Sequence, residues 1–268
     1  MNRSAVDTIK GYFYQFDYSI KKLFEIKNDT DSIIIERIED VDIKTATVET
    51  AIQCKYYSKT EYNNSVISKP IRLMLSHFKY LKQKGMNTIN YLIYGYYKSG
   101  QEKLELPLSL EFLKNNFLIY TDDKVKHYHH TEIGVSDDEL EEFIGLLSVN
   151  NNALEYSVQL KEIISKIKET FICSDFEAEH YYYNNALKII KQISIESDEL
   201  KRTITKKEFL KQINTKAILF NQWFIEYKGL QNHFKELRKN YFSFLNSSSF
   251  DRFFLIEINN TKYIRTEL

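Results

Sequence analysis

Cysteine, proline, glycine and tryptophan are all scarce: two, two, seven and one among 268 residues. Two cysteines, Cys54 and Cys173, make neither a disulfide framework nor a zinc knuckle, so a reduced, cytoplasmic setting is expected. The few glycines form no P-loop and no Gly-rich dinucleotide turn, which excludes nucleotide hydrolysis by those devices. No apolar run approaches the roughly 18–20 residues that span a bilayer, so no membrane partner is expected. The opening residues, MNRSAVDTIKGYFYQ, hold no apolar h-region and no small-residue cleavage site, and do not read as a signal peptide.

Charge of one sign is also missing, since 37 Lys and Arg balance 37 Asp and Glu. That balance hides a segregation. From Lys55 to Lys98 the basic residues 55, 59, 69, 72, 79, 82, 84 and 98 face a single acid, Glu61. Residues 121–145 run the other way, with acids at 122, 123, 132, 137, 138, 139, 141 and 142 against Lys124 and Lys126. Clustered positive charge is what a phosphate backbone attracts, so Lys59, Lys69, Arg72 and Lys79 are candidate DNA contacts. With 43% hydrophobic and 28% charged residues, the chain reads as soluble and globular, long enough for one large or two small domains.

Hydrophobic periodicity supplies the elements. Ile9, Phe13, Phe16, Ile20 and Leu23 recur at helical spacing over residues 7–25, with Asp7 a candidate N-cap. Residues 33–43 and 47–57 read as strands paired in a hairpin. Residues 65–85 read as a helix with Pro70 near its first turn and Gly85 as its stop. Residues 88–97 read as a buried central strand, 108–116 as a short helix and 117–120 as one further strand. After about residue 135 the texture turns helical, and FFLIEINN near the end reads as a closing strand. The expected fold class is α/β (α+β), a mixed sheet flanked by helices, with a mostly helical C-terminal domain. The polar SVNNN near residue 150 divides the chain into 1–150 and 151–268.

The stretch IIIERIEDVDIKTATVETAIQCKYY (33–57) carries the chemistry. Residues two apart on a strand share a face, so Gln53 and Lys55 point together while Ile52, Cys54 and Tyr56 point toward a core. Asp40 and Asp42 share a face in the same way. A hard divalent cation takes oxygen ligands, and Asp40, the Gln53 side-chain carbonyl and the Cys54 backbone carbonyl can provide them. Such a cation acidifies water and neutralises charge on a scissile phosphate, and Lys55 beside it adds a fixed positive charge. The EDVD run leaves Asp42 open as the ligand in an alternative register. Solvated hairpin charges are the plain alternative.

The motifs GYFYQ (11–15), IERIEDVDI (35–43) and AIQCKYY (51–57), in that order and spacing, resemble restriction-endonuclease-like PD-(D/E)XK nucleases. Within that superfamily the chain looks like the N-terminal nuclease module of bacterial antiphage effectors, the CBASS and Lamassu types. The resemblance covers roughly residues 8–100. It implies a restriction-endonuclease-like core, with Asp40 as the metal-binding acid, Gln53 as its partner, Lys55 as the catalytic lysine and Gln15 as a helix residue orienting the site or touching substrate. Gln53 stands where the usual motif has an acid, which leaves a metal with less negative charge. The implied activity is Mg2+-dependent cleavage of double-stranded DNA, with Mn2+ a substitute. The implied partners are an SMC-like ATPase complex that holds the nuclease inactive and further copies of the chain on release. A nuclease-fold subunit that binds nucleic acid or a scaffold partner without cutting is the rival expectation.

Other features have plainer readings. Glu36 and Glu39 are expected as solvated strand charges, and KHYHH (126–130) as an exposed loop rather than a zinc site. Cys54 is expected as a buried apolar residue, and HYYYNN (180–185) as filling a helical core or an oligomer seam.

Overall fold

β-Branched and tyrosine-rich runs between residues 32 and 97 form the centre of the structure, a computed structural model that describes residues 6–241, 253–258 and 262–267. Helix α1 (Val6–Glu25) precedes strands β1 (Ser32–Ile35), β2 (Val41–Lys44) and β3 (Glu49–Tyr57). Helix α2 (Asn64–Gln83) leads to β4 (Asn90–Tyr97). Then follow α3 (Leu110–Phe117), β5 (Ile119–Asp122), β6 (Val125–Tyr128), α4 (His129–Glu132), α5 (Asp137–Leu146) and β7 (Leu147–Asn150). Helices α6 (Tyr156–Phe171), α7 (Asp175–Glu177) and α8 (Asn184–Ser194), strand β8 (Thr203–Thr205) and helix α9 (Lys206–Ile213) continue the chain. One mixed sheet runs in the order β7-β4-β3-β2-β1-β8, with β3, β4 and β7 parallel and the other pairs antiparallel. The fold is thus α+β, a six-stranded mixed sheet flanked by helices with a helical region following it.

The two faces of the sheet are covered differently. Ala51, Tyr91, Ile93 and Tyr97 pack against Ile67, Ile71, Met74, Leu75 and Phe78 of α2. On the other face Tyr14 and Tyr18 of α1 lie against Tyr94, and Tyr14 against Tyr56. Helix α2 starts behind the Asn63 N-cap and ends at Gly85, whose φ of +63° suits a residue without a Cβ. Pro70 falls inside this helix rather than in its first turn, because the cap sits at Asn63.

Three expectations are revised. The run 33–43 is two strands, since the chain leaves the extended conformation at Glu36 (φ +54°) and returns at Val41; the hairpin is therefore a three-stranded meander. Ile20 and Leu23 of α1 are buried as expected, but Ile9 and Phe13 are 50% and 37% exposed, and Tyr14, Asp17 and Tyr18 are buried instead. The strand expected at 117–120 pairs only with β6, outside the main sheet.

The expected junction at residue 150 lies within one compact unit, Met1–Leu210; the other is Lys211–Leu268. The reason is packing. Lys21 of α1 pairs with Glu162 of α6 at 2.7 Å, the Gln159 amide donates to the Tyr14 carbonyl at 3.1 Å, and β8 pairs with β1. The second unit contains α10 (Lys216–Lys228), α11 (Leu230–Tyr241) and the antiparallel pair β9 (Phe253–Ile258) and β10 (Lys262–Glu267). The segment read as a closing strand is β9. Among the described residues no helix is long and apolar enough to cross a membrane.

Candidate functional site

The site forms where β2 stops and β3 continues. The β2–β3 ladder ends at Val41 opposite Ile52, so the next residues of β3 have no strand partner on that side. Asp40, the residue before β2, takes the place of a strand there. Its Oδ2 accepts the Cys54 backbone N–H at 2.8 Å, the Gln15 side-chain amide at 2.8 Å and the Gln53 side-chain amide. Asp40 thus lies at the sheet's own level and meets α1 from one face and Gln53 from the other. A strand residue's N–H and C=O point to the same side, so the Cys54 carbonyl also faces this opened edge. The Asp40 Oδ1 accepts no hydrogen bond from the described residues.

The turn that places Asp40 also separates it from Asp42. Glu36 N–H closes onto the Asp40 carbonyl at 3.1 Å, while Asp42 Oδ2 accepts the Ile38 N–H at 2.8 Å. Asp42 pairs with Ala51 in β3 and is fully buried, and its Oδ1 has no partner. The structure therefore brings Asp40, Gln53, the Cys54 backbone and Gln15 together, and leaves Asp42 holding the turn.

Burial pushes the Asp40 carboxyl above its ordinary value, against the opposing pull of Lys55, the Cys54 N–H and the two glutamines. Burial also raises Asp42, to about 7. Glu39, expected as a solvated strand charge, is half-buried beside Asp40 and Asp42, and burial with those neighbours pushes it up to about 8. Lys55 opposes the shift at Asp40, Glu39 and Glu36, which places its ammonium among all three. It makes no hydrogen bond or ion pair with a described residue. Sequence reasoning missed Glu39 because strand alternation does not apply within the 36–40 turn. The Cys54 thiol is fully buried and burial raises its pKa strongly, so it is no nucleophile.

The candidate DNA contacts divide. Lys69 is exposed, and Lys59 is exposed and pairs with Asp7 at 3.1 Å. Arg72 donates to the Phe117 carbonyl at 3.0 Å and lies over the Tyr120 ring at 4.6 Å. Both Glu139 oxygens take the Lys79 ammonium at 2.9 Å, Lys82 reaches Glu142 at 2.6 Å, and Lys114 reaches Asp137 at 2.6 Å. Two residues of the basic stretch, Lys79 and Lys82, thus neutralise acids of α5, and Lys114 neutralises a third. The three clustered histidines diverge: His127 meets Glu132, His129 meets Ser76 and the Arg72 carbonyl, and His130 Nδ1 is buried without a partner.

Among the described residues no three His, Cys, Asp or Glu side chains gather as a metal-holding group. The oxygens at Asp40, Gln53 and the Cys54 carbonyl still fit a hard divalent cation, which needs one or two carboxylates and takes its other ligands from neutral oxygens. Gln53 gives its amide nitrogen to Asp40, so its oxygen joins that set once the amide turns over toward a bound cation.

No family model matches this chain. None of the curated proteins compared matches it either. Among solved structures, it is similar to the Acinetobacter baumannii Cap4 SAVED/CARF-domain containing receptor with the cyclic trinucleotide 2'3'3'-cAAA, at 13% identity and a TM-score of 0.48. The same receptor with 3'3'3'-cAAA gives the same figures. In each case the match covers 76% of this chain and 44% of the receptor, so the chain corresponds to less than half of that protein's length.

Proposed function

We propose that this chain is a metal-dependent DNA endonuclease acting as an effector of a bacterial antiphage defence system. One observation carries the reading: a half-buried Asp40 carboxylate held by three N–H donors, one of them the side-chain amide of Gln53, two residues before Lys55 on β3. The order and spacing of the GYFYQ, IERIEDVDI and AIQCKYY motifs support it, as does the mixed sheet flanked by helices. Asp40, Gln53 and the Cys54 carbonyl would hold Mg2+ or Mn2+. When bound, that cation acidifies water and offsets charge growing on the phosphate. Gln15 and the Cys54 N–H fix the Asp40 carboxylate in one orientation, as partners of a metal ligand do. Lys55, set among the Asp40, Glu39 and Glu36 carboxylates without a hydrogen bond to any of them, supplies a positive charge beside that site. A nuclease of this kind must be restrained inside its own cell. In this reading an SMC-like ATPase complex holds it, and release allows copies to assemble so that two sites cut both strands.

Purified protein mixed with supercoiled plasmid, with magnesium or manganese and separately with EDTA, tests the reading. Cutting should require metal and vanish in Lys55→Ala and Asp40→Ala. Metal-independent cutting, or full activity in Lys55→Ala, would sink it. A second reading, a nuclease-fold subunit that binds nucleic acid or a scaffold without cutting, is favoured by the neutral Gln53 in the acid's position. DNA binding without cutting, even beside an activated partner complex, would select it.

A further inference from the structure

On β4, the residue paired with Lys55 is Gly95. A Cβ at position 95 would lie 2.6 Å from Tyr97 Cε2 and 2.9 Å from Tyr97 Oη. The tyrosine ring is therefore folded back along its strand, and its hydroxyl stands where the side chain across from Lys55 would otherwise be. Neighbouring strands are about 4.8 Å apart, which brings this hydroxyl within reach of whatever the lysine holds. Only glycine at position 95 permits the arrangement.

The hydroxyl is also conspicuously unused. Tyr97 is 1% exposed, and its Oη is buried with no hydrogen-bond partner. Buried hydroxyls ordinarily have one. The ring cannot swing away to find it, because Tyr57 stacks on it at 5.5 Å and Tyr62 meets it edge-on at 5.0 Å. The Tyr62 hydroxyl is itself taken by Asn64. Burial raises the Tyr97 pKa, so the group remains a neutral O–H donor. An unpartnered O–H donor thus stands on the same face of the sheet as Lys55, one strand away.

We propose that Lys55 and Tyr97 together hold one non-bridging oxygen of a phosphate group, Lys55 through its ammonium and Tyr97 through its hydroxyl. This deepens the phosphodiester-cleaving reading and rests on it for the identity of the substrate. The arrangement explains why β4 carries glycine at a position otherwise suited to an apolar side chain. It also makes Tyr97 a residue that touches substrate, a role no sequence motif assigns to it.

The test uses the full chain labelled with 3-fluorotyrosine, titrated with inorganic phosphate in magnesium chloride and followed by fluorine NMR. Tyr97→Phe identifies the Tyr97 resonance and removes only the hydroxyl. That resonance should shift with phosphate and saturate, and the shift should disappear in Lys55→Ala. Gly95→Ala, whose Cβ would displace the ring, should lose it too while the other tyrosines keep their dispersion. A resonance that ignores phosphate, or moves equally in Lys55→Ala, overturns the proposal. In the plasmid assay Tyr97→Phe should lower kcat at least ~10-fold, in line with losing a charge-stabilising donor, and leave KM within about twofold. Wild-type cutting with an unimpaired Tyr97→Phe would reject the Tyr97 role and leave the nuclease reading standing. A phosphate shift that depends on Lys55 in a protein that never cuts would do the reverse.

Discussion

Asp17 lies fully buried on α1, with Oδ1 accepting the Tyr183 hydroxyl at 2.7 Å and Oδ2 without a partner. Burial pushes its carboxyl from 3.8 up to about 7, and the Tyr183 bond only partly offsets this. Between those values the folded chain keeps a proton that the unfolded chain has released, so stability falls as pH rises through that range and levels off above it. Asp17→Asn keeps an acceptor for Tyr183 and cannot ionise. Its unfolding free energy should match wild type near pH 4, then exceed it by a margin that opens toward pH 7, on the order of 2–4 kcal/mol at most. A variant less stable than wild type at pH 8 would show that the ionised carboxylate is required. At the turn beside the site, Asp42→Ala should lower Tm, because it removes the acceptor of the Ile38 N–H, yet preserve plasmid cutting per folded molecule. Asp40→Ala should abolish cutting. Cutting lost in Asp42→Ala and kept in Asp40→Ala would exchange the two roles.

At the scale of elements, α2 and α5 are joined by charge. The Lys79–Glu139 and Lys82–Glu142 pairs cross between them, and the first is largely shielded from solvent. Lys79→Ala should therefore reduce stability by about 1 kcal/mol, the upper range for such pairs, and high salt should shrink the loss. It should not alter the salt dependence of DNA binding, because that lysine is already neutralised within the protein. Lys69→Ala should show the converse: unchanged Tm and a salt slope smaller by about one phosphate contact. Equal slopes for wild type and Lys69→Ala would remove α2 as a DNA surface. Helix α1 links the site to the helices that follow, since Tyr14 and Asp17 on either side of Gln15 are bonded to Leu154, Gln159 and Tyr183.

For the whole molecule, the first compact unit runs to Leu210 rather than to residue 150. A chain ending at 150 would expose the α1 surface that α6 and α8 cover and leave β1 without β8. It should be unfolded or aggregating, whereas a chain ending at 210 should melt cooperatively, as circular dichroism would show. Cooperative melting of the shorter chain would restore the junction at 150.

Much of this was legible from residue patterns. The apolar run at 88–97 marked a central strand, Asp40, Gln53 and Lys55 were singled out, and the mixed α and β order followed from periodicity, because each signal is local in the chain. Which aspartate meets Gln53 was not legible. It depends on a turn at Glu36 that abandons strand alternation, and a positive φ at a glutamate leaves no trace in hydrophobic spacing. The partners of Arg72 and Lys79 were equally hidden, since an ion pair across 60 residues is set by how helices pack and not by nearby sequence. The same holds for Glu39 and for the Tyr97 hydroxyl. Their character comes from burial and from neighbours on other strands, and only the folded sheet brings those together.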